Sequence, residues 1–571
     1  MIATQTQPGT LASPADVAGL LRGSKAIALD LETTGLNPRR DRIRLLSVSD
    51  GRRSLVLDCF AHPIQPLLPI LREQLIVAHN AAFDLGFLWH AGLTDLPEAV
   101  CTMLLSQLLD GTRTPTGWHG LAGCVSRHLQ QEMPKKLQAS DWSGPLSADQ
   151  IEYARRDAAV LPRLHVAMTD AIEAARLVTI AEIECRALPS WVWMQQSGVP
   201  FDRPAWAALD TVAQAAVDDL TGQLDTLAPQ KGLAGLFGAL ERWNWSSPEQ
   251  VKDVLGLLGY RVQTSCDAQL ATIPHKAARL LREYRQHAQL IKMYGSNWLS
   301  QTTIEDGRLY PNWRQIGTET GRTTCEKPNC QQIPRDLRYR KCFRAGPGRV
   351  LVKADYSQLQ MRIAAKFADD KALLNIFQDR ADVHTATAQA LLGKADVNKA
   401  DRQIAKSANF ALLFGASAAG LQQYCKTTFG IDLTLEQAEA HRASFFRRYA
   451  GLKAWHRHAY DNPARETRTT LGRRRVFSGH TPPTEQLNTP VQGEEADGTK
   501  RALAFLWRKR GEFPDAKPVI FNHDEIVLEC DASNAEPVKG WLQACMIAGM
   551  QPMLNPVPVE VEAKIVQTWG D

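Results

Sequence analysis

The apolar positions of this chain fall into two kinds of pattern, and the switch between them lays out its elements. Short apolar and β-branched runs at residues 25–31, 43–49, 54–57 and 75–78 predict four strands, and residues 82 to about 175 carry helical spacing. That order predicts a mixed α/β domain at the start of the chain. From about residue 177 to 311 the pattern is helical. Ser247 followed by Pro248 and Glu249 marks a helix start, and HKAARLLREYRQHAQLIKMYG puts Lys276, Arg279, Arg282, Arg285 and Lys292 at mostly three- and four-residue spacing, either a solvated helix face or a surface for phosphates. In VKADYSQLQMRIAA, residues 352–365, an apolar lead-in predicts a buried strand with Asp355 at its end. Leu359, Arg362, Ile363 and Lys366 then continue as a helix. Near the far end, KPVIFNHDEIVLEC, residues 517–530, sets two apolar runs around Asn522, His523, Asp524 and Glu525, a hairpin with two acids at its tip.

Composition narrows the class. At 571 residues the chain is too long for one core and implies about three or four domains or subdomains. Its 44% hydrophobic and 22% charged residues are those of an ordinary globular protein. A net charge of +5 means that any nucleic-acid surface must be local rather than a basic tail. The 11 cysteines include no CxxC pair, and the irregular spacing of Cys325, Cys330 and Cys342 argues against zinc, so reduced cysteines in a cytoplasm are expected. The polar start MIATQTQPGT lacks the apolar centre of a signal peptide, and no run of about eighteen apolar residues occurs.

Candidate chemistry lies in two acidic sets. Asp30 and Glu32 are two apart on the first predicted strand, so their carboxylates share a face. Asp84 follows the fourth strand in HNAAFD, and Tyr153 and Asp157, in YARRD, are helix neighbours. Singly, Asp84 reads equally well as a helix cap and Tyr153 with Asp157 as a solvated edge. Together, in this order, they point to a metal nuclease. Asp355 by itself reads as a cap as readily as a catalyst. If Asp355 and Asp524 meet, they can hold two divalent ions ~3.5–4 Å apart, the arrangement that stabilises both oxygens of an in-line phosphoryl displacement.

The first set resembles the DEDDy 3′–5′ exonuclease superfamily, whose proofreading domains have an RNase H-like fold. The resemblance implies that Asp30, Glu32, Asp84 and Asp157 hold two Mg²⁺ ions and that Tyr153 orients the attacking water. From about Tyr310 onward the order TGRTTCEKPNCQQIP, RYRKCF, DYSQLQMR, DVHTATA, RQIAKSANFALLFG, TLGRRRVF, NTPVQG and NHDE resembles family A, the DNA polymerase I-like enzymes. This likeness covers roughly residues 180–571. With no flap-nuclease domain ahead of the exonuclease, a Klenow-like or phage-type architecture is expected.

The implied layout is an α/β multidomain chain. Its RNase H-like exonuclease domain occupies residues 1–178, and a right-hand polymerase domain occupies 179–571. Within the hand, the thumb is expected at about 205–300, the palm at about 310–370 and 470–571, and the fingers at about 371–465. Arg402, Lys406, Phe410 and Phe414 recur every four residues, which on a helix makes a slowly turning stripe ~18 Å long.

Carried over by position, Asp355 and Asp524 resemble the metal-binding carboxylates, with Glu525 beside them. Arg340, His384, Arg402 and Lys406 match contacts to the incoming triphosphate, and Lys406 also matches the proton donor to pyrophosphate. Gln358 and Phe410 match residues lining the nucleotide pocket. Arg322, Asn488, Gln492 and His523 match minor-groove and primer-terminus contacts. Two positions depart from the family pattern: Gln360 stands where an acidic sugar gate is usual, and Phe414 where a tyrosine is usual. The expectation is a matched pair that keeps a steric gate without a buried charge.

The function implied is template-directed DNA synthesis from dNTPs with 3′–5′ proofreading, in replication or repair. It would use two Mg²⁺ per active site, with Mn²⁺ as a substitute. The partners implied are primer-template DNA, dNTPs and single-stranded 3′ ends, with no membrane. The chain is expected to be a monomer in the cytoplasm of a bacterium or of a phage-infected host. Two rival readings are an exonuclease whose C-terminal hand only binds duplex, and a replication protein without catalysis. The intact Asp355, Asp524, Arg402 and Lys406 set argues against the first, and two complete acidic sets argue against the second.

Overall fold

Strand β1 (Ala26–Thr33) lies in the middle of a five-stranded sheet with β2 (Ile43–Ser49), β3 (Ser54–Asp58), β4 (Leu75–Ala78) and β5 (Ala99–Cys101), in the order β3-β2-β1-β4-β5. β2 and β3 run as antiparallel neighbours, whereas β4 is parallel to β1 and β5 parallel to β4. The expected strands at 43–49 and 75–78 match to the residue. The fifth strand is an addition: at three residues it is too short to show a period. Helix α1 (Ala81–His90) starts directly after β4, and α2 (Ala148–Ala174) packs across β1, β2 and β3. Ser147 caps α2 in a capping box with Gln150, which explains why a 27-residue helix begins there.

The computed structural model describes residues 9–134, 137, 139–229, 242–302, 304–334, 336–477, 479 and 481–571. The polar start read above at residues 1–8 lies outside these. Contacts divide the chain into two units, one of residues 1–197, 313–325 and 348–565, the other of residues 198–312, 326–347 and 566–571. No helix among the described residues is long and apolar enough to cross a membrane.

In the first unit, α3 (Val178–Ser197) leaves the five-stranded sheet's domain with Glu184, Ser190 and Trp191 all buried. Strand β6 (Arg349–Tyr356) and helix α4 (Leu359–Phe367) form the expected strand-to-helix stretch. Helices α5 (Val383–Leu392) and α6 (Lys399–Leu412) follow, then the long α7 (Pro483–Lys509). Strands β7 (Lys517–Asn522) and β8 (Glu525–Asp531) make the expected hairpin. Helix α8 (Ala535–Leu554) and strand β9 (Val561–Val566) complete a four-stranded sheet in the order β7-β8-β6-β9.

Helix α7 buries charge as well as carbon. Glu494, Glu495, Asp497 and Lys500 are each at most 1% exposed, so each needs a partner. Lys500 Nζ meets Glu184 Oε1 at 2.6 Å and donates to the Gly321 carbonyl at 2.8 Å. Arg473 joins Asp497 at 2.6 Å and also bonds Glu184. This network fastens α3, the turn at Arg473 and α7 together.

In the second unit, Lys276–Tyr294 is helical as expected and packs on helix Arg203–Leu227 around Leu220, Leu224, Leu280 and Leu281. Ser247 caps the helix Pro248–Leu257 through the Gln250 N–H. Two of the five cations proposed as a phosphate-facing row are committed inside the unit. Arg282 pairs with Asp267 at 2.6 Å, and Arg285 bonds Ser265 at its hydroxyl and carbonyl.

Candidate active sites

The period-two argument for β1 places Asp30 and Glu32 side by side, and α2 brings Asp157 to them. One ligand oxygen of each lies within 4.8 Å of the others, the single such group of three or more among the described residues. Asp84, in the first turn of α1, accepts the Leu31 N–H at 3.1 Å. The helix N-cap is Asn80, in a left-handed conformation at φ 59°, so Asp84 is turned to the sheet instead of capping. Asp157 is 8% exposed and takes a hydrogen bond from the Tyr153 hydroxyl, which removes the solvated-edge alternative.

Burial and mutual repulsion raise the proton affinity of these acids. Burial, then the charges of Asp157 and Asp84, pushes Glu32 up to about 8. Burial also raises Asp84 to about 8 and Asp157 to about 6, and Asp30 stands well above the ordinary range for burial first and its three acidic neighbours next. Asp157 Oδ1 is buried with no hydrogen-bond partner. Crowded carboxylate oxygens with an unsatisfied buried member fit a divalent cation, which takes hard oxygen ligands.

A stability measurement checks this. Glu32 and Asp84 ionise near 8 in the folded chain but near their ordinary 4.5 and 3.8 when unfolded. Between about pH 5 and about pH 8 the folded state therefore binds more protons, and stability falls as pH rises. In chelator, the melting temperature should drop across that window, and Glu32→Gln with Asp84→Asn should flatten the drop. Added divalent cation should offset it in the unmodified chain. A melting temperature indifferent to all three changes would mean that the acids are not crowded.

The second site sits at the end of the other sheet. Asp355 is the penultimate residue of β6 and pairs in register with Glu525 of β8, so the two side chains share a face. Asp524 lies with His523 in the two-residue turn joining β7 to β8, where His523 adopts φ 63°. Loss of surrounding water, then the charges of Glu525, Glu562 and Glu495, raises Asp355 to about 7. Asp524 is also raised well above its ordinary value, by desolvation first and then by Glu495 and Asp355. The charge of Asp355 therefore bears on Asp524 in the β7–β8 turn. Capping is excluded for Asp355, because the N-cap of α4 is Gln358 at φ 55°. Glu562, on β9, accepts from the Ser357 hydroxyl at 3.2 Å.

The α5–α6 pair gathers the expected phosphate-side residues. Asp382 caps α5 through His384 N and Thr385 N, and its other oxygen pairs with Arg402 at 2.7 Å. Asn409 Oδ1 accepts from Thr387, so its amide nitrogen faces His384 Nδ1 at 2.8 Å. Burial lowers His384 to about 4. The neutral ring thus accepts at Nδ1 and carries its proton on Nε2, a ready donor. The Phe410 ring lies 6.2 Å from His384 and stays 38% exposed. Lys406 is close enough for its charge to bear on His384.

The stripe needs one correction at its end. Helix α6 stops at Leu412, and Phe414 falls in the turn beyond it. The Gly415 N–H reaches Leu412 O at 3.1 Å and the Ala416 N–H reaches Ala411 O at 3.3 Å, with Gly415 at φ 86°. This Schellman closure leaves Phe414 in the closing turn, beyond the Leu413 C-cap.

Arg340 belongs to the second unit, where its guanidinium rests over the Trp569 ring at 4.5 Å. Asn488 and Gln492 are on α7 and are the two positions between residues 486 and 500 that are not buried. Arg322 bears electrostatically on His523 and Asp524 and pairs with Glu495 at 2.7 Å. The Gln360 amide likewise donates to Glu495, at 2.9 Å. The expectation of an uncharged Gln360 matched to Phe414 thus misses its actual partner, a buried carboxylate. Glu495 and Glu562 were not singled out from the sequence. For Glu495 a signal existed: Asn488, Gln492 and Glu495 are spaced i, i+4 and i+7, one helix face.

Comparison with known proteins agrees with the geometry. A model of DNA polymerase family A matches residues 219–571, and a model of a 3′–5′ exonuclease matches residues 8–173. The chain is 32% identical to DNA polymerase I of Aquifex aeolicus over 589 residues, covering 96% of each chain. It is 28% identical to DNA polymerase I of Pseudomonas aeruginosa over 620 residues, covering 96% of this chain and 64% of that protein. It also shares its fold with the polymerase domain of Pol1 from M. smegmatis, solved in complex with DNA primer-template and dNTP. The TM-score is 0.80 at 21% identity, covering 98% of this chain and 99% of that one.

Proposed function

The chain belongs to DNA polymerase family A and carries a 3′–5′ exonuclease domain, and from that premise we propose that it extends a DNA primer on a template from dNTPs and trims mismatched 3′ ends. The observation that supports the reading is the placement of Asp355 and Asp524 at one end of the β7-β8-β6-β9 sheet, near enough for the charge of Asp355 to raise the proton affinity of Asp524. Asp355 and Asp524 would hold the ions, Mg²⁺ with Mn²⁺ as substitute, and bound there the pair supplies charge stabilisation to the attacking and leaving oxygens.

The chain's own residues do the rest. Arg402 and Lys406 take the triphosphate charge. His384 donates from Nε2, and Lys406 gives a proton to departing pyrophosphate. Gln358, Phe410 and Phe414 line the base and sugar, with Gln360 crowding the sugar edge. Arg322, Asn488, Gln492 and His523 meet the primer end and minor groove, and Glu525 flanks the metal acids. At the nuclease site Asp30, Glu32, Asp84 and Asp157 would hold the ions, and a single-stranded 3′ end would be the substrate. Tyr153, kept in its neutral form beside Asp157, orients the attacking water.

By this reading residues 1–178 form the exonuclease domain and 179–571 the polymerase hand, with thumb at about 205–300, palm at about 310–370 and 470–571, and fingers at about 371–465. The chain works as a monomer in a bacterial or phage-infected cytoplasm. Primer extension on one template, with each dNTP withheld in turn and with matched or mismatched 3′ ends, tests it. Extension should stall one base short of each withheld nucleotide, and mismatched ends should be trimmed first. Trimming without extension would leave only a nuclease.

Phe410→Tyr should raise the use of dideoxynucleotides relative to dNTPs. A bare phenyl ring offers nothing in place of the missing 3′-hydroxyl, whereas a phenol does. An unchanged ratio would mean that the exposed face of Phe410 does not meet the sugar.

A further inference from the structure

One side chain ties the polymerase site together. Glu495 is 1% exposed on α7, and each carboxylate oxygen holds a donor from a different part of the chain. Gln360 Nε2, on α4, donates to Oε2 at 2.9 Å, and Arg322 Nη2, ahead of β6, donates to Oε1 at 2.7 Å. An ionised carboxylate only accepts. It therefore fixes the Gln360 amide with its nitrogen toward Glu495 and Oε1 turned away. The charge of Glu495 also acts on Asp355 and Asp524, which puts Glu495, and Gln360 with it, beside the acids of this site.

We propose that Glu495 is the positioning residue for sugar selection, pinning Gln360 as a rigid wall of the sugar pocket while its second oxygen holds Arg322 toward the primer end. This rests on the reading of Gln360 as the residue at the sugar edge. A glutamine with free side-chain torsions swings aside for a ribose 2′-hydroxyl at little cost. A glutamine bonded to a buried carboxylate yields only by breaking a charge-assisted hydrogen bond and leaving that charge short of a partner. Selectivity in this chain is then set by two residues 135 apart in sequence, with the negative charge supplied from α7 and the bulk from α4.

The test measures kcat/KM for a dNTP and the matching rNTP in the full chain, with single-stranded exonuclease activity and melting temperature read on the same preparations. Glu495→Ala should cut dNTP-over-rNTP discrimination roughly tenfold or more, the factor set by one charge-assisted hydrogen bond. Gln360→Ala should match it, and the double variant should be no worse than either single, since the two act as one unit. Glu495→Gln keeps the volume but has a single oxygen for two donors, so one tie must break and an intermediate loss is expected. It decides the matter if Glu495→Ala does not fold. Moving the acid, in Gln360→Glu with Glu495→Ala, should restore discrimination, which a merely structural role for Glu495 would not predict. Unchanged discrimination in Glu495→Gln and Glu495→Ala, or additive losses in the double variant, overturns the inference. Failure of the unmodified chain to extend a primer overturns the polymerase reading instead.

Discussion

Asp524→Ala should lower primer extension at least about a thousandfold, because the lost carboxylate forfeits several kcal/mol of transition-state charge stabilisation, while trimming of single-stranded DNA stays near the unmodified level. The nuclease acids lie on β1, α1 and α2, and Asp524 lies in the β7–β8 turn of a separate sheet. The fold should tolerate the change well. Asp524 is held far above the ordinary carboxylate range by desolvation, Glu495 and Asp355, so in the absence of metal its charge opposes folding and its removal relieves repulsion. Asp30→Ala with Glu32→Ala should give the mirror result, abolishing trimming and sparing extension. The measurement is a paired assay of both activities on each variant, with melting temperature as the fold check. Loss of both activities in a folded Asp524→Ala protein would end the two-site account.

Glu184→Ala should cost about 3–5 kcal/mol of stability, the usual penalty for removing one partner of a buried ion pair. Glu184 and Lys500 are both fully buried, and Glu184 also bonds Arg473 and the Gln315 amide. Burial alone would push Glu184 up, but Lys500 and Arg473 reverse that and hold it below its ordinary value. Without Glu184, Arg473 keeps Asp497, whereas Lys500 keeps only a carbonyl.

The pH dependence has a definite sign. Burial already lowers Lys500 to about 8 against an ordinary 10.5, and loss of Glu184 lowers it further. The variant then gains stability with rising pH from a lower pH than the unmodified chain does, so the deficit should narrow between about pH 6 and about pH 8. Urea unfolding at both pH values reads the effect, and Glu184→Gln combined with Lys500→Met should recover part of the loss. A cost below about 1 kcal/mol at pH 6 would mean that the pair is hydrated in solution. Because this network anchors α7, which carries Asn488, Gln492 and Glu495, extension should suffer at temperatures where trimming persists.

What could be read from the sequence and what could not divide along a physical line. Strands β2 and β4 match their expected bounds because apolar alternation and turn residues are local signals. The shared face of Asp30 and Glu32 follows from a two-residue period, and the Arg402, Lys406, Phe410 stripe follows from the helical one. Strand β5 escaped because three residues carry no period. The end of α6 was misjudged because a Schellman closure depends on backbone bonds at Gly415, which side-chain spacing does not report.

The meeting of Asp355 with Asp524, the partnering of Gln360 by Glu495, and the charges buried along α7 were decided only by tertiary structure. A one-dimensional pattern assigns a residue to a face of its own element. It does not say which other element will cover that face, and for Glu495 and Lys500 that cover decides everything: the same side chains on an open helix would be ordinary solvated charges. Here distant segments supply Gln360, Arg322 and Glu184 at hydrogen-bond distance, and only those partners make a buried charge stable enough to position its neighbours.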